Sequence, residues 1–318
     1  MTLLPVIGLT QIGGQGSADR FTYLPHAVLF LAAVFGGSEA ASRLHVGHRV
    51  ATGLAVLLVV SSGISSHALV RHWRNSETLY RRALSVTRDN WVAHHNLGAL
   101  MYREGRTVEA IAHFRETLRI RPRYAQGHAS LAQALEDEGR ADEALSLFEE
   151  AVRLDPSSAS SRRMLAGALK RRGRVPEAAF QYKEAARLDP EDTGTLVALG
   201  FLLTELGQPA ESAGAFEEAI LVDPRDGTAR LGLGIALARQ GRVDEAITRL
   251  EEAVRLLPQD PVARVNLGLL LAERGHYGEA VSMLREAERL AGEGSEASLK
   301  AREALGRIGR ERHGPSER

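Results

Sequence analysis

From residue 91 to residue 294 the apolar positions follow the 3.6-residue rhythm of α-helices, and the whole pattern repeats every 34 residues. Leu97, Leu131, Leu165, Leu199, Leu233 and Leu267 recur at that interval, each followed eight residues later by Gly105, Gly139, Gly173, Gly207, Gly241 or Gly275. Pairs such as Leu131 with Leu135 and Leu165 with Leu169 stand at i and i+4, which marks one face of a first helix. The glycine ends that helix, because a left-handed terminal residue costs glycine nothing sterically. A glutamate follows in every copy (Glu109, Glu143, Glu177, Glu211, Glu245, Glu279), in the first turn of a second helix where negative charge meets the positive end of the macrodipole. Ala110, Ala144, Ala178, Ala246 and Ala280 form one small column, broken only by Ser212. Ala151, Ala185, Ala219, Ala253 and Ala287 form another, broken only by Thr117. Both leave room for two helices to approach closely. Phe114, Phe148, Tyr182, Phe216, Leu250 and Leu284 are placed to fill the space between successive hairpins. Pro122, Pro156, Pro190, Pro224 and Pro258 close the units, since proline cannot continue a helix and also bars helical geometry at the residue before it. Pro176 and Pro209 fall near the start of a second helix, where the missing N–H is harmless.

The pattern predicts an all-α solenoid: six helix pairs over 91–294, with a linker and degenerate half-repeat at 73–90 ahead of them. A capping helix is expected over 295–310, amphipathic through Leu299, Ala301, Leu305 and Ile308, and a disordered tail over 311–318.

The first third has a different pattern. Residues 50–70 are uncharged and long enough to cross a hydrocarbon core of about 30 Å, so they are expected to form a transmembrane helix. A second span is expected at 23–41, with an interfacial or re-entrant segment as the alternative. Residues 1–22 are a membrane-proximal loop with a short apolar run, Leu3 to Ile12, which lacks the basic start and cleavage site of a signal peptide. The membrane anchor is thus 23–72.

The repeat resembles the tetratricopeptide (TPR) family, whose helix-turn-helix units carry the same Leu-Gly, Gly, Ala, bulky, Ala, Pro columns. Two columns depart from it. The aromatic usual near the start of the first helix is His94, His128, Arg162, Leu196, Arg230 and Arg264, and the later tyrosine is Met101, Leu135, Leu169, Leu203, Leu237 and Leu271. The resemblance implies a TPR-type α-solenoid, a right-handed superhelix preceded by transmembrane helices, whose first helices line a concave groove for a protein or peptide. At the groove positions the first three units are polar, with Tyr102, Arg163 and Arg171 as candidate partner contacts; the last three are apolar, with Val197, Phe201, Leu231, Ile235, Val265 and Leu269. Such a strip suits an amphipathic helix or a hydrophobic peptide. The same side chains can instead pad contacts between neighbouring first helices.

The segment Asp19, Arg20, Phe21, Thr22, Tyr23, Leu24, Pro25, followed by two spans and repeats, resembles the C-terminal part of transmembrane-and-TPR proteins related to protein O-mannosyltransferases. Those proteins use polyprenyl-phosphate sugars, and their catalytic carboxylate sits in an early extracytoplasmic loop with no counterpart in this chain. Asp19 and Arg20 read as an interfacial ion pair. The expectation is therefore a membrane-anchored scaffold without catalysis, or the non-catalytic C-terminal part of such a glycosyltransferase, presenting acceptor proteins.

Charge changes this picture little. Forty basic residues balance forty acidic ones, which argues against a nucleic-acid partner. Cysteine is absent, so thiol and disulfide chemistry is excluded. The preference for arginine over lysine points to a GC-rich, bacterial genome, hence to a bacterial inner membrane. Arg71, Arg74, Arg81 and Arg82 after the long span place the repeats in the cytoplasm by the positive-inside rule, whereas the family resemblance places them outside. His94, His95 and His128 keep no metal-ligand spacing and are expected at the surface; no nucleophile elbow or phosphate loop is present, Gly232 is left without a role, and no cofactor or metal is expected. Glu149 with Arg153 reads as a solvated i,i+4 pair.

Overall fold

The computed structural model describes residues 76–313, with Leu57 alone ahead of them. The segments expected to span a membrane and the Asp19–Pro25 motif therefore lie outside the described residues. Among those described, all regular structure is helical and no helix is long and apolar enough to cross a membrane. The chain divides into two compact units, residues 1–122 and 123–318. The first contains α1 (Ser76–Val86), α2 (Trp91–Arg103) and α3 (Thr107–Ile120). The second contains five hairpins: α4 (Ala125–Asp137) with α5 (Ala141–Leu154), α6 (Ala159–Arg171) with α7 (Val175–Leu188), α8 (Thr193–Glu205) with α9 (Pro209–Val222), α10 (Gly227–Arg239) with α11 (Val243–Leu256), and α12 (Pro261–Glu273) with α13 (Tyr277–Leu290). The helix α14 (Glu296–His313) follows.

Each hairpin turn is made the same way. The six column glycines have φ between 71° and 80°. The residue after each donates its N–H back to the carbonyl of Met101, Leu135, Leu169, Leu203, Leu237 or Leu271 at 2.8–3.0 Å, the 6→1 bond of a Schellman closure. Space does not select these glycines, because a Cβ there would meet nothing within 4 Å; the left-handed backbone does. At the other end of the unit, the residue before each column proline holds ψ between 67° and 97°, outside helical geometry. Pro176 and Pro209 occupy the first turn of α7 and α9.

The bulky column is buried throughout, from 0% exposure at Phe148, Phe216, Leu250 and Leu284 to 9% at Tyr182. Four of its members also press back across their own hairpin: a Cβ on Gly98 would lie 2.9 Å from the Phe114 ring, on Gly200 2.7 Å from Phe216, on Gly234 2.6 Å from Leu250 and on Gly268 2.8 Å from Leu284. Only a hydrogen fits there. Phe216 additionally reaches the next hairpin, where a Cβ on Gly232 would fall 2.2 Å from its ring. Gly232 is thus the seat of an aromatic ring.

The two breaks in the alanine columns are both satisfied. The Ser212 and Thr204 hydroxyls lie 2.6 Å apart and both reach the Gly200 carbonyl, at 2.8 and 3.0 Å. Thr117, fully buried, donates to the His113 carbonyl at 2.9 Å. Buried hydroxyls with partners cost little, whereas orphaned ones would destabilise the hairpin.

Helix α14 covers α13 and α12 through Ser298, Ala301, Ala304 and Ile308. Leu299, expected on that face, points outward at 56% exposure, because the buried stripe runs through its neighbour Ser298. The helix also continues to His313, three residues beyond the expected end.

Candidate partner-binding surface

Within the second unit, successive first helices touch at α4–α6, α8–α10 and α10–α12, while successive second helices keep further apart. The first helices therefore form the inner face, and the side chains they turn away from their hairpin partners define the candidate surface.

On α8, α10 and α12, Val197, Phe201, Ile235 and Leu269 are half-buried, seated on the core yet open on one side. Phe201 is fixed by an edge-on contact with Phe216, ring centroids 5.0 Å apart. Leu231 and Val265 do not belong to this surface. They are 5% and 3% exposed and lie in one core cluster, where they fill the space between successive first helices, so a partner cannot reach them.

On α4 and α6 the same face is polar and internally tied. Arg171 forks onto Glu136 of the preceding hairpin at 2.9 and 2.5 Å. Arg163 stands 3.4 Å from Asp192. Burial opposes ionisation of Asp192, but hydrogen bonds from the Thr195 hydroxyl and amide and the Arg163 charge outweigh it and hold the carboxyl below its ordinary range. Both arginines thus serve the stacking of hairpins. The register recurs on the apolar half, where Arg239 donates to the Thr204 carbonyl at 2.5 Å. In the first unit Tyr102 is half-buried on α2.

Three polar arrangements escaped the sequence reading. At three positions of the column that departs from the family aromatic, a polar pair closes the hairpin: His94 Nδ1 lies 3.0 Å from His113 Nδ1, Arg162 donates to Gln181 at 3.0 Å, and Arg230 donates to Glu252 at 3.0 Å. The signal was a polar residue 19 or 22 positions later on the second helix. The expected surface histidines are enclosed: His95 is 8% exposed, its ring 5.7 Å from that of Phe114, and His94 and His128 are half-buried. Burial pushes the His94, His95 and His113 imidazoles below their ordinary pKa.

Second, the residue after the turn glycine clasps the first-turn glutamate, as Arg106 with Glu109 at 2.8 Å, Arg140 with Glu143 at 2.6 Å, Arg174 with Glu177, and Arg242 with Glu245 at 2.6 Å. Hydrogen bonds from these arginines hold Glu109, Glu177 and Glu245 below the ordinary carboxylate range. Third, Arg153 pairs with Glu150 at i−3 rather than with Glu149, which stands 3.5 Å from Arg174 of the next hairpin. Among the described residues no group of three or more His, Cys, Asp or Glu is arranged to hold a metal ion. A shallow cleft of about 310 Å³ lies off the inner face, over Glu149, Arg174, Pro176 and the exposed ring of Phe180.

Helix pairs of fixed length, closed by a left-handed glycine and carrying a buried bulky column opposite small residues in a 34-residue register, define a tetratricopeptide-repeat protein. More narrowly, the chain belongs to the family described as the Cilia and flagella-associated protein 70 C-terminal domain, whose profile matches residues 49–305. Among curated proteins it is similar to Protein O-mannosyl-transferase Tmtc2 of Drosophila melanogaster, 29% identical over 128 residues, which is 40% of this chain but only 13% of that protein's length. Among solved structures, the Pseudomonas aeruginosa pilF protein is similar at 24% identity, with a TM-score of 0.57, over 68% of this chain and 97% of that one. YrrB, a TPR protein described as having an unusual peptide-binding site, is similar at 23% identity and a TM-score of 0.52, over 60% and 96% of the two chains. The Cut9–Hcn1 hetero-tetramer of the APC/C is similar at 16% identity and a TM-score of 0.55, over 88% and 52%. These structural likenesses establish the fold.

Proposed function

We propose that this chain is a TPR scaffold, tethered to a bilayer by residues 23–72, that holds an amphipathic helix or hydrophobic peptide of a protein partner on the inner face of α8, α10 and α12. The observation that supports the reading most is the strip Val197, Phe201, Ile235 and Leu269, half-buried and in register on successive first helices. Apolar groups held rigidly but left open on one side suit the anchors of a docked helix, because little ordering is left for binding to supply. The tether rests on the two apolar runs of the sequence, and the setting in a bacterial inner membrane on composition. The balanced charge favours a protein over a nucleic acid, and no catalytic role is assigned to any residue.

The test is selection of peptides from a helical library on the purified full chain, followed by titration of the best binder. Binding should weaken at least 10-fold on Phe201→Glu and on Ile235→Glu with helicity retained. Equal affinity in both folded variants would remove the groove assignment. Extraction of membranes at high pH checks the tether: a chain released like a peripheral protein contradicts it.

The likeness to Tmtc2, joined to the Asp19–Pro25 motif, supports a second reading in which the repeats present acceptor proteins to a polyprenyl-phosphate-sugar glycosyltransferase. Sugar transfer to a bound acceptor, seen only when this chain is co-expressed with a catalytic subunit, would favour it.

A further inference from the structure

On the apolar half of the inner face, three anchors of the strip are each followed at i+4, on the same side of the helix, by an exposed charge: Phe201 by Glu205, Ile235 by Arg239 and Leu269 by Glu273. These charges are the last residues of α8, α10 and α12, 34 residues apart, so they flank the strip in a row of alternating sign. The row is continuous from α8 to α10, since Arg239 donates to the carbonyl of Thr204, the residue before Glu205, at 2.5 Å.

In the polar half the same register is used up inside the protein. Arg171 stands where Arg239 stands, but it forks onto Glu136 of the preceding hairpin at 2.9 and 2.5 Å. The residue equivalent to Glu136 is Thr204 on α8 and Ala238 on α10, neither of them a carboxylate. Arg239 therefore finds only a backbone carbonyl, and among the described residues no ion pair forms to Glu205, Arg239 or Glu273.

An apolar strip does not by itself fix how far a docked helix has slid along it, because Phe201, Ile235 and Leu269 offer similar seats in one register. Alternating flank charges do, since a slip by one hairpin sets like charges against each other, as flanking charges select pairing in coiled coils. Packed helices stand about 8–10 Å apart, close to the ~11 Å that two turns of a docked helix cover. Residues two turns apart on such a helix thus meet successive charges of the row.

We propose that the partner of this face is an amphipathic helix whose apolar stripe is flanked by a basic, an acidic and a basic residue, two turns apart, opposite Glu205, Arg239 and Glu273, and that this row sets its register. The inference rests on the inner-face reading and adds to it the charge pattern of the partner.

The probes are stapled helical peptides with one leucine stripe, differing only at the three flank positions: Lys-Glu-Lys, Glu-Lys-Glu, and Lys-Lys-Glu, which has the net charge of the first. Titrated into the full chain in neutral detergent, Lys-Glu-Lys should bind about 10-fold tighter than Glu-Lys-Glu and about 3-fold tighter than Lys-Lys-Glu, both preferences shrinking as salt is raised. Arg239→Glu should reverse the choice at the middle position, so that a Lys-Lys-Lys peptide overtakes Lys-Glu-Lys. Helicity is recorded, and if that variant does not fold, Glu273→Lys decides by turning the preference from Lys-Glu-Lys to Lys-Glu-Glu. Equal affinity of the peptides, lost for all of them in folded Phe201→Glu, or wild-type preferences in the folded charge variants, overturns the charge row and leaves the inner-face reading standing. Failure of every peptide to bind, or binding indifferent to Phe201→Glu, overturns both.

Discussion

The inner faces of α4 and α6, on one side, and of α8, α10 and α12, on the other, share one backbone register and carry opposite chemistry. The first pair is laced by Arg171 to Glu136 and Arg163 to Asp192; the second trio shows Val197, Phe201, Ile235 and Leu269. The columns beneath both are the same: left-handed glycine, small residue, bulky residue, proline. The contrast teaches that the hairpin is specified by its turn and its internal packing, leaving the inner face free to vary.

The packing contrast is the largest expected effect. Phe216→Ala should cost about 3–5 kcal/mol, because the ring is fully buried between two glycines. Gly232→Ala should cost about 1–3 kcal/mol or more, since its methyl would enter the same ring. In the polar half the sign reverses. A Cβ on helical Gly167 would meet Arg171 and Tyr182 only at 3.6–3.7 Å, so Gly167→Ala should stabilise by about 0.4–1 kcal/mol. Urea unfolding of the three variants checks both signs.

Acid should act on the first unit. The folded His94, His95 and His113 bind protons less readily than their ordinary value of 6.5, with burial the leading cause and, for His113, the neighbouring His94 next. Glu109 and Glu116 face the His94–His113 pair and favour its protonation, whereas Arg81, Arg106 and Arg119 oppose it. A lowered folded pKa means the unfolded chain takes up more protons, so this stabilisation is present above pH 6.5 and is lost as pH falls through the folded values. The denaturation midpoint should drop between pH 7.5 and pH 5, and drop less in His113→Gln. The smallest effect is expected at the inner-face ion pair: Glu136→Gln should cost at most about 1 kcal/mol, because Arg171 remains largely solvated.

The fold was legible in sequence because its determinants are backbone-level and periodic: Gly105 and its five counterparts announce the turn, and Pro122 and its counterparts announce the end. What escaped was packing direction. Gly232 looked superfluous because its partner, Phe216, belongs to another repeat column, and Leu231 and Val265 looked like groove residues because register alone does not tell how deeply a neighbouring helix covers a position. Leu299 misled in the same way: an apolar residue on a short helix need not point inward when Ser298 can.

Hydrogen–deuterium exchange of the full chain, with and without a peptide selected on it, tests the central claim most directly. Slowed exchange in α8, α10 and α12 with α4 and α6 unchanged is the result expected. Protection confined to α4 and α6, or to the second helices, would show that the apolar strip is not where a partner sits.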